Sequence, residues 1–148
     1  MAIRYETLDI PFPKAIRRKE TKVWMKQILA QYPKRVGAIV CVFCSDAEIL
    51  RINNQYLQHD YYTDILTFDY SENNVLSGDL FISLETVKSN AEKYGTDYME
   101  EIYRVMAHGI LHLCGFDDKT PEDKKRMQQK EDEVLRFLPL TIHPLSRV

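Results

Sequence analysis

Two of the four histidines, His108 and His112, stand four residues apart in the stretch Met106-Ala-His-Gly-Ile-Leu-His-Leu-Cys-Gly-Phe-Asp-Asp118. On a helix, at about 100° per residue, that spacing puts both imidazoles on one face, one turn apart. Gly115 ends the helix, and Asp117 and Asp118 follow on the returning chain. One histidine on an apolar helix is usually a satisfied core residue. Two on a buried face are harder to dismiss, because each ring nitrogen needs a partner where water is scarce. A divalent ion, zinc above all, satisfies both, and a nearby carboxylate completes the ligand set.

The spacing H-x-x-x-H-x-x-G-x-x-D resembles that of the metzincin zinc peptidases, H-E-x-x-H-x-x-G-x-x-H. Ligand and glycine offsets agree, which favours Asp118 over Asp117 as the third ligand beside His108 and His112. Gly109 stands where the peptidases carry their general-base glutamate, so peptide hydrolysis by their route is not expected.

The elements that must position these residues are legible from periodicity. A strand over 3–10 stops at Pro11 and Pro13, and Val23, Trp24, Ile28 and Leu29 mark an amphipathic helix over 17–32 with Trp24 in the core. The apolar run 36–44 is a strand central in its sheet. Ser45 and Glu48 form a capping box for a helix over 46–57, with Ile49, Ile52, Tyr56 and Leu57 on its buried side. A loop over 60–64 leads to strands at 65–70 and 78–83, close enough to pair as a hairpin. Ser83 caps a helix to Tyr94, Thr96 or Asp97 opens the histidine helix, and Thr120-Pro121 starts a last helix to about Phe137. On that last helix Met127, Val134 and Leu138 form the apolar side, and the runs 124–126 and 131–133 read as a solvated face. The tail after Pro139 reads as loose. The order β-α-β-α-β-β-α-α-α implies an α/β (α+β) fold: a small mixed four-stranded sheet with packed helices, the metal-binding helix central; the resemblance to the zinc peptidases implies that it is zincin-like.

With 148 residues, 45% hydrophobic and 28% charged, the chain reads as one globular domain over 1–148. No apolar run nears the roughly 20 residues that span a bilayer, and no signal peptide opens the chain, so a cytoplasmic location is expected. Cys41 and Cys44 form a C-x-x-C, but three apart on a strand their sulfurs diverge, so buried structural thiols are expected. Net charge is −2, yet residues 14–35 carry eight Lys or Arg against Glu20 alone, and residues 46–101 carry twelve acids against three bases. The basic segment reads equally as a footprint for phosphate or as the solvated face of the first helix.

The stretch His108-Gly-Ile-Leu-His-Leu-Cys-Gly-Phe-Asp-Asp118 is also similar to the hallmark H-G-x-L-H-L-x-G-[YF]-D-H of the YbeY family, bacterial rRNA maturation factors regarded as metal-dependent endoribonucleases. Ile52-Asn53, Tyr56, Asp60 and Thr63-Asp64-Ile65-Leu66-Thr67-Phe68 follow that family's L-N-x-x-Y-R-x-x-D-x-P-T-[DN]-V-L-S-F. Gly78-Asp-Leu-Phe-Ile-Ser83 follows its G-D-I-x-I-S, and Met127 and Glu131 its M-x-x-x-E. The resemblance covers about residues 46–137 and implies a zinc-dependent hydrolase that cleaves single-stranded RNA in small-subunit rRNA maturation and ribosome quality control. It departs at three places: Asp118 for the third histidine ligand, Leu57 for the arginine, and Tyr62 for the proline. Aspartate lowers the site's net charge by one and makes Mn²⁺ or Mg²⁺ more competitive with zinc.

The expected enzyme holds one ion with His108, His112 and Asp118 and uses a metal-activated water, with no assigned general base. Asp117 is a candidate for orienting a ligand or moving a proton, with a turn role favoured. Thr63 and Asp64 are candidates for lining the cleft, and Lys22, Lys26 or Arg104 for replacing the family arginine at Leu57. Expected partners are pre-rRNA and ribosomal particles, with no membrane, no DNA and a monomeric chain. The rival expectation is a non-catalytic ribosome-assembly factor that binds RNA around a structural metal.

Overall fold

The computed structural model describes residues 2–57 and 63–138. His59, Asp60, Tyr62 and the tail from Pro139 lie outside the described residues, and with them the reading of 60–62 as loop and of that tail as loose. The element order is β1 (Ala2–Thr7), α1 (Arg18–Leu29), β2 (Arg35–Cys44), α2 (Asp46–Leu57), β3 (Ile65–Asp69), β4 (Val75–Ser83), α3 (Leu84–Tyr94), α4 (Tyr98–Leu113) and α5 (Pro121–Leu135). The strands form one mixed sheet in the order β1-β2-β4-β3. β1 and β4 flank β2 in parallel, and β3 pairs with β4 antiparallel, so β2 is internal and the 65–83 hairpin forms as the sequence implies.

Alternation along the strands divides the interior in two. Ile39, Cys41 and Phe43 of β2 and Leu76, Leu80 and Ile82 of β4 face the main core, shared with α1, α4 and α5. Cys44, Leu66, Phe68 and Phe81 turn the other way and pack with Ile49 and Ile52 of α2. The C-x-x-C therefore splits between two cores. Burial pushes the Cys41 and Cys44 thiols up to about 12, so both stay protonated and inert.

α4 lies at the centre, touching α1, α3, α5, β3 and β4. Its burial is nearly all-round, with Ile102, Tyr103, Val105, Met106, Ala107, Gly109, Ile110, Leu111 and Leu113 enclosed. Asp97 caps it, accepting from the Glu100 N–H. Trp24 on α1 packs edge-on against Tyr103 and donates from its indole to the Val134 carbonyl at 2.8 Å, tying α1 to α4 and α5. Its ring is wholly buried, as the apolar stripe implied.

Three side chains depart from the periodicity. Val23 is 45% exposed, because the buried stripe of α1 runs through Thr21, Trp24, Met25, Ile28 and Leu29. Tyr56 (62% exposed) and Leu57 (40%) end α2 beyond the edge of its small core, where Asn53 takes the buried place instead. The basic residues of α1 lie mostly on its outer face, with Arg18 over the Phe12 ring and Lys22 over the Tyr5 ring. That geometry gives α1 the solvated, cation-bearing face of an amphipathic helix.

At Gly78 the sheet leaves no room between a neighbouring strand's backbone and the central helix. A β-carbon there would sit 2.6 Å from the Phe68 carbonyl oxygen on β3 and 2.8 Å from Leu113 on α4. Gly78→Ala should therefore destabilise the protein by about 1–3 kcal/mol, as overpacking does. Urea unfolding checks this, with a lower midpoint expected and an unchanged one contradicting the packing.

Candidate active site

His108 and His112 project from the last two turns of α4, and their rings stack nearly parallel, with centroids 6.0 Å apart and 16° between planes. His112 Nδ1 lies 2.8 Å from the Phe116 carbonyl oxygen. A carbonyl only accepts, so the proton sits on Nδ1 and the Nε2 lone pair is left bare. Phe116 can supply that carbonyl because Gly115, at φ 109°, turns the chain back immediately after the helix. The same turn returns Asp118, whose Oδ2 lies 3.2 Å from His108 Nε2.

His108 Nδ1 is 2.7 Å from Glu131 Oε2 on α5. Glu131 is only 5% exposed, so it needs charged or hydrogen-bonded partners. Arg104, one turn before His108, supplies the second at 3.0 Å and reaches Asp132 at 2.6 Å with its other nitrogen. The 131–133 run is thus no uniform solvated face: its first carboxylate is built into the site. Burial acts to lower the His108 pKa, but Glu131, then Asp118 and Asp64, outweigh it and hold the imidazole above its ordinary range.

A cavity of about 320 Å³ opens between α4, α5 and the start of β3. His108, Arg104, Asp118, Glu131 and Asp64 line it, together with Glu101 and Lys124. Burial pushes the Asp64 carboxyl up, opposed by the charge of His108. Burial likewise raises Glu101. Thr63 does not line this cavity; its hydroxyl donates to the Ile65 carbonyl at 3.4 Å, a turn role. Asp117 faces a separate hollow with Cys114, Phe116 and Arg126. Lys22 and Lys26 on α1 are not among the lining residues, so of the three suggested replacement cations only Arg104 reaches the cleft, and it is already paired. Glu101, Lys124 and Gln128 were not singled out by spacing or charge. Their shared position appears only once α4 and α5 are packed together.

Among the described residues no three His, Cys, Asp or Glu side chains converge as a formed metal-holding group. The donor chemistry nevertheless fits a divalent ion. Both imidazoles have Nδ1 occupied by an oxygen acceptor, the arrangement that fixes ring orientation and leaves Nε2 to ligate. His108 Nε2 already faces a carboxylate oxygen, so an ion would take the place of a direct contact. Gly109 is closely packed as well: a β-carbon there would meet the end methyls of Ile65 at 2.8 Å and Leu80 at 3.0 Å, which would have to shift.

Helix-borne imidazoles backed by a buried carboxylate at a cleft on a mixed sheet define a site of the hydrolase type. Comparison with known proteins narrows the class. The family described as Endoribonuclease YbeY matches residues 7–139, and the chain belongs to that family. It is 58% identical to the endoribonuclease YbeY of Azobacteroides pseudotrichonymphae genomovar. CFP2, over 91% of this chain and 96% of that protein. It is 56% identical to that of Bacteroides fragilis, over the same shares of each. The solution structure of TM1509 from Thermotoga maritima superposes with a TM-score of 0.63 at 26% identity, over 91% of this chain and 90% of that one.

Two measurements follow from the Glu131 contact. Glu131→Ala should cost about 1–3 kcal/mol, because it strips a half-buried imidazole N–H of its acceptor and Arg104 of one carboxylate. In the metal-free protein, a His108 pKa raised above 6.5 gives stability that is complete below pH 6.5 and is lost as pH rises through the folded value. The fall in urea midpoint as pH rises above about 6.5 should be smaller in Glu131→Gln than in wild type. An equal fall would remove Glu131 as the cause.

Proposed function

We propose that this chain is a metal-dependent endoribonuclease that cleaves single-stranded RNA in maturation of the small-subunit rRNA and in ribosome quality control. The observation that carries the metal-dependent reading is the paired Nδ1 anchoring of His108 and His112, which leaves both Nε2 atoms to donate, that of His108 beside the Asp118 carboxylate. Family membership supplies the endonucleolytic cleavage of RNA.

His108, His112 and Asp118 would hold one zinc ion, which supplies Lewis acidity to a phosphate oxygen and to water. Aspartate in place of a third imidazole is a harder donor that lowers the net charge by one, so Mn²⁺ or Mg²⁺ competes better here. Glu131 keeps the His108 proton on Nδ1, and Arg104 holds the Glu131 carboxylate in place. Asp64 sits in the cleft wall with its carboxyl pushed up by burial, which suits it to hold a proton and release it to a departing oxygen. Asp117 faces away from that cleft, which supports a turn role. No helix among the described residues is long and apolar enough to cross a membrane. Pre-rRNA within ribosomal particles, met by a monomer in the cytoplasm, remains the proposed setting.

The rival reading, an assembly factor with a structural metal, predicts binding without cutting. A ribonuclease assay on purified protein separates the two. Cleavage should stop on chelation and return with Zn²⁺ or Mn²⁺. His112→Ala and Asp118→Ala should each lower it by at least about 100-fold, the upper end of the cost of losing a supporting group around a metal. Undiminished cleavage by both variants would defeat the mechanism.

A further inference from the structure

The cleft beside His108 is short of available positive charge. Asp64, Glu101, Asp118 and Glu131 all contribute carboxylates to it. Of the two lysine or arginine side chains that line it, Arg104 is committed, with its guanidinium 3.0 Å from Glu131 and 2.6 Å from Asp132. The other is Lys124, in the second turn of α5.

Lys124, Met127, Gln128 and Glu131 all line the cavity. Steps of three, four and seven residues place them on one face of α5, so that face forms a cleft wall. Glu131 stands at the His108 end of the wall, and Lys124 lies two turns away, roughly 10 Å along the axis. Among the described residues Lys124 pairs with no carboxylate, whereas Arg126 and Lys130 on the same helix pair with Asp123 and Glu133. An unpaired ammonium keeps its field for a ligand. Its compact charge on a flexible four-carbon stem can follow a phosphodiester without needing one fixed geometry.

We propose that Lys124 is the phosphate-binding residue of this cleft, holding the RNA backbone along α5 beside His108. The proposal rests on the endoribonuclease reading for the identity of the ligand. It assigns substrate affinity to a residue outside the His108, His112 and Asp118 set.

The test is fluorescence anisotropy of the full chain with a cleavage-resistant, single-stranded phosphorothioate RNA over a salt series. Lys124→Gln should weaken binding about tenfold and lower the slope of log K against log salt by about 0.7, the value for one phosphate contact on a single strand. Lys125→Gln removes the same charge from an exposed neighbour that does not line the cavity, and should change affinity less than about twofold. Lys124→Arg, which keeps the charge, should recover most of the loss. Equal losses at the two positions, or an unchanged slope for Lys124→Gln, would overturn the proposal. Ordinary RNA scored in parallel for cleavage separates the two claims. Binding without cutting contradicts the endoribonuclease reading while the comparison of Lys124 with Lys125 still decides this one; no binding by wild type overturns both.

Discussion

The cleft depends on one hydrogen bond, from His108 Nδ1 to the Glu131 carboxylate at 2.7 Å. A carboxylate as enclosed as Glu131 is costly to keep charged without partners, and both of its partners come from α4. The bond therefore does two things. It fixes α5 against the central helix at the level of the site, and it orients the His108 ring with Nε2 toward Asp118. Every other feature of the cleft is placed relative to these two helices. Asp64 and Ile65 close one side from the sheet, and Lys124 and Gln128 extend the α5 wall.

His112 is held by a different route to the same chemical end. Its Nδ1 acceptor is a backbone carbonyl, presented by the turn that Gly115 permits. Neither anchor involves solvent-exposed, entropically costly side chains, so both rings are preorganised by elements already required for folding. Preorganisation of this kind also explains the position of Gly109. The helix lies close to Ile65 and Leu80 where it carries His108 to the cleft, and a larger residue would require those side chains to shift.

Much of this was legible in the sequence where a single element carries the signal. The His108–His112 spacing, the Gly115 turn, the capping residues Ser83, Asp97 and Thr120, and the element order follow from local rules and stand in the structure. What was not legible depends on two elements meeting. Glu131 sits in a charged run that periodicity assigns to solvent, and only the approach of Arg104 and His108 makes its burial tolerable. Val23, Tyr56 and Leu57 are apolar and helical but fall just outside the interfaces their helices form. Hydrophobic pattern gives the direction of a face, not its width.

Everything proposed for the site requires both histidines to carry their proton on Nδ1 and to leave Nε2 for a ligand. Long-range ¹H–¹⁵N correlation of the imidazoles in metal-free protein, followed to alkaline pH until the ring shifts stop changing, reads this directly. The Nδ1–H tautomer is expected at His108 and at His112, with the His108 signal altered by Glu131→Gln. An Nε2–H tautomer at either ring would contradict it.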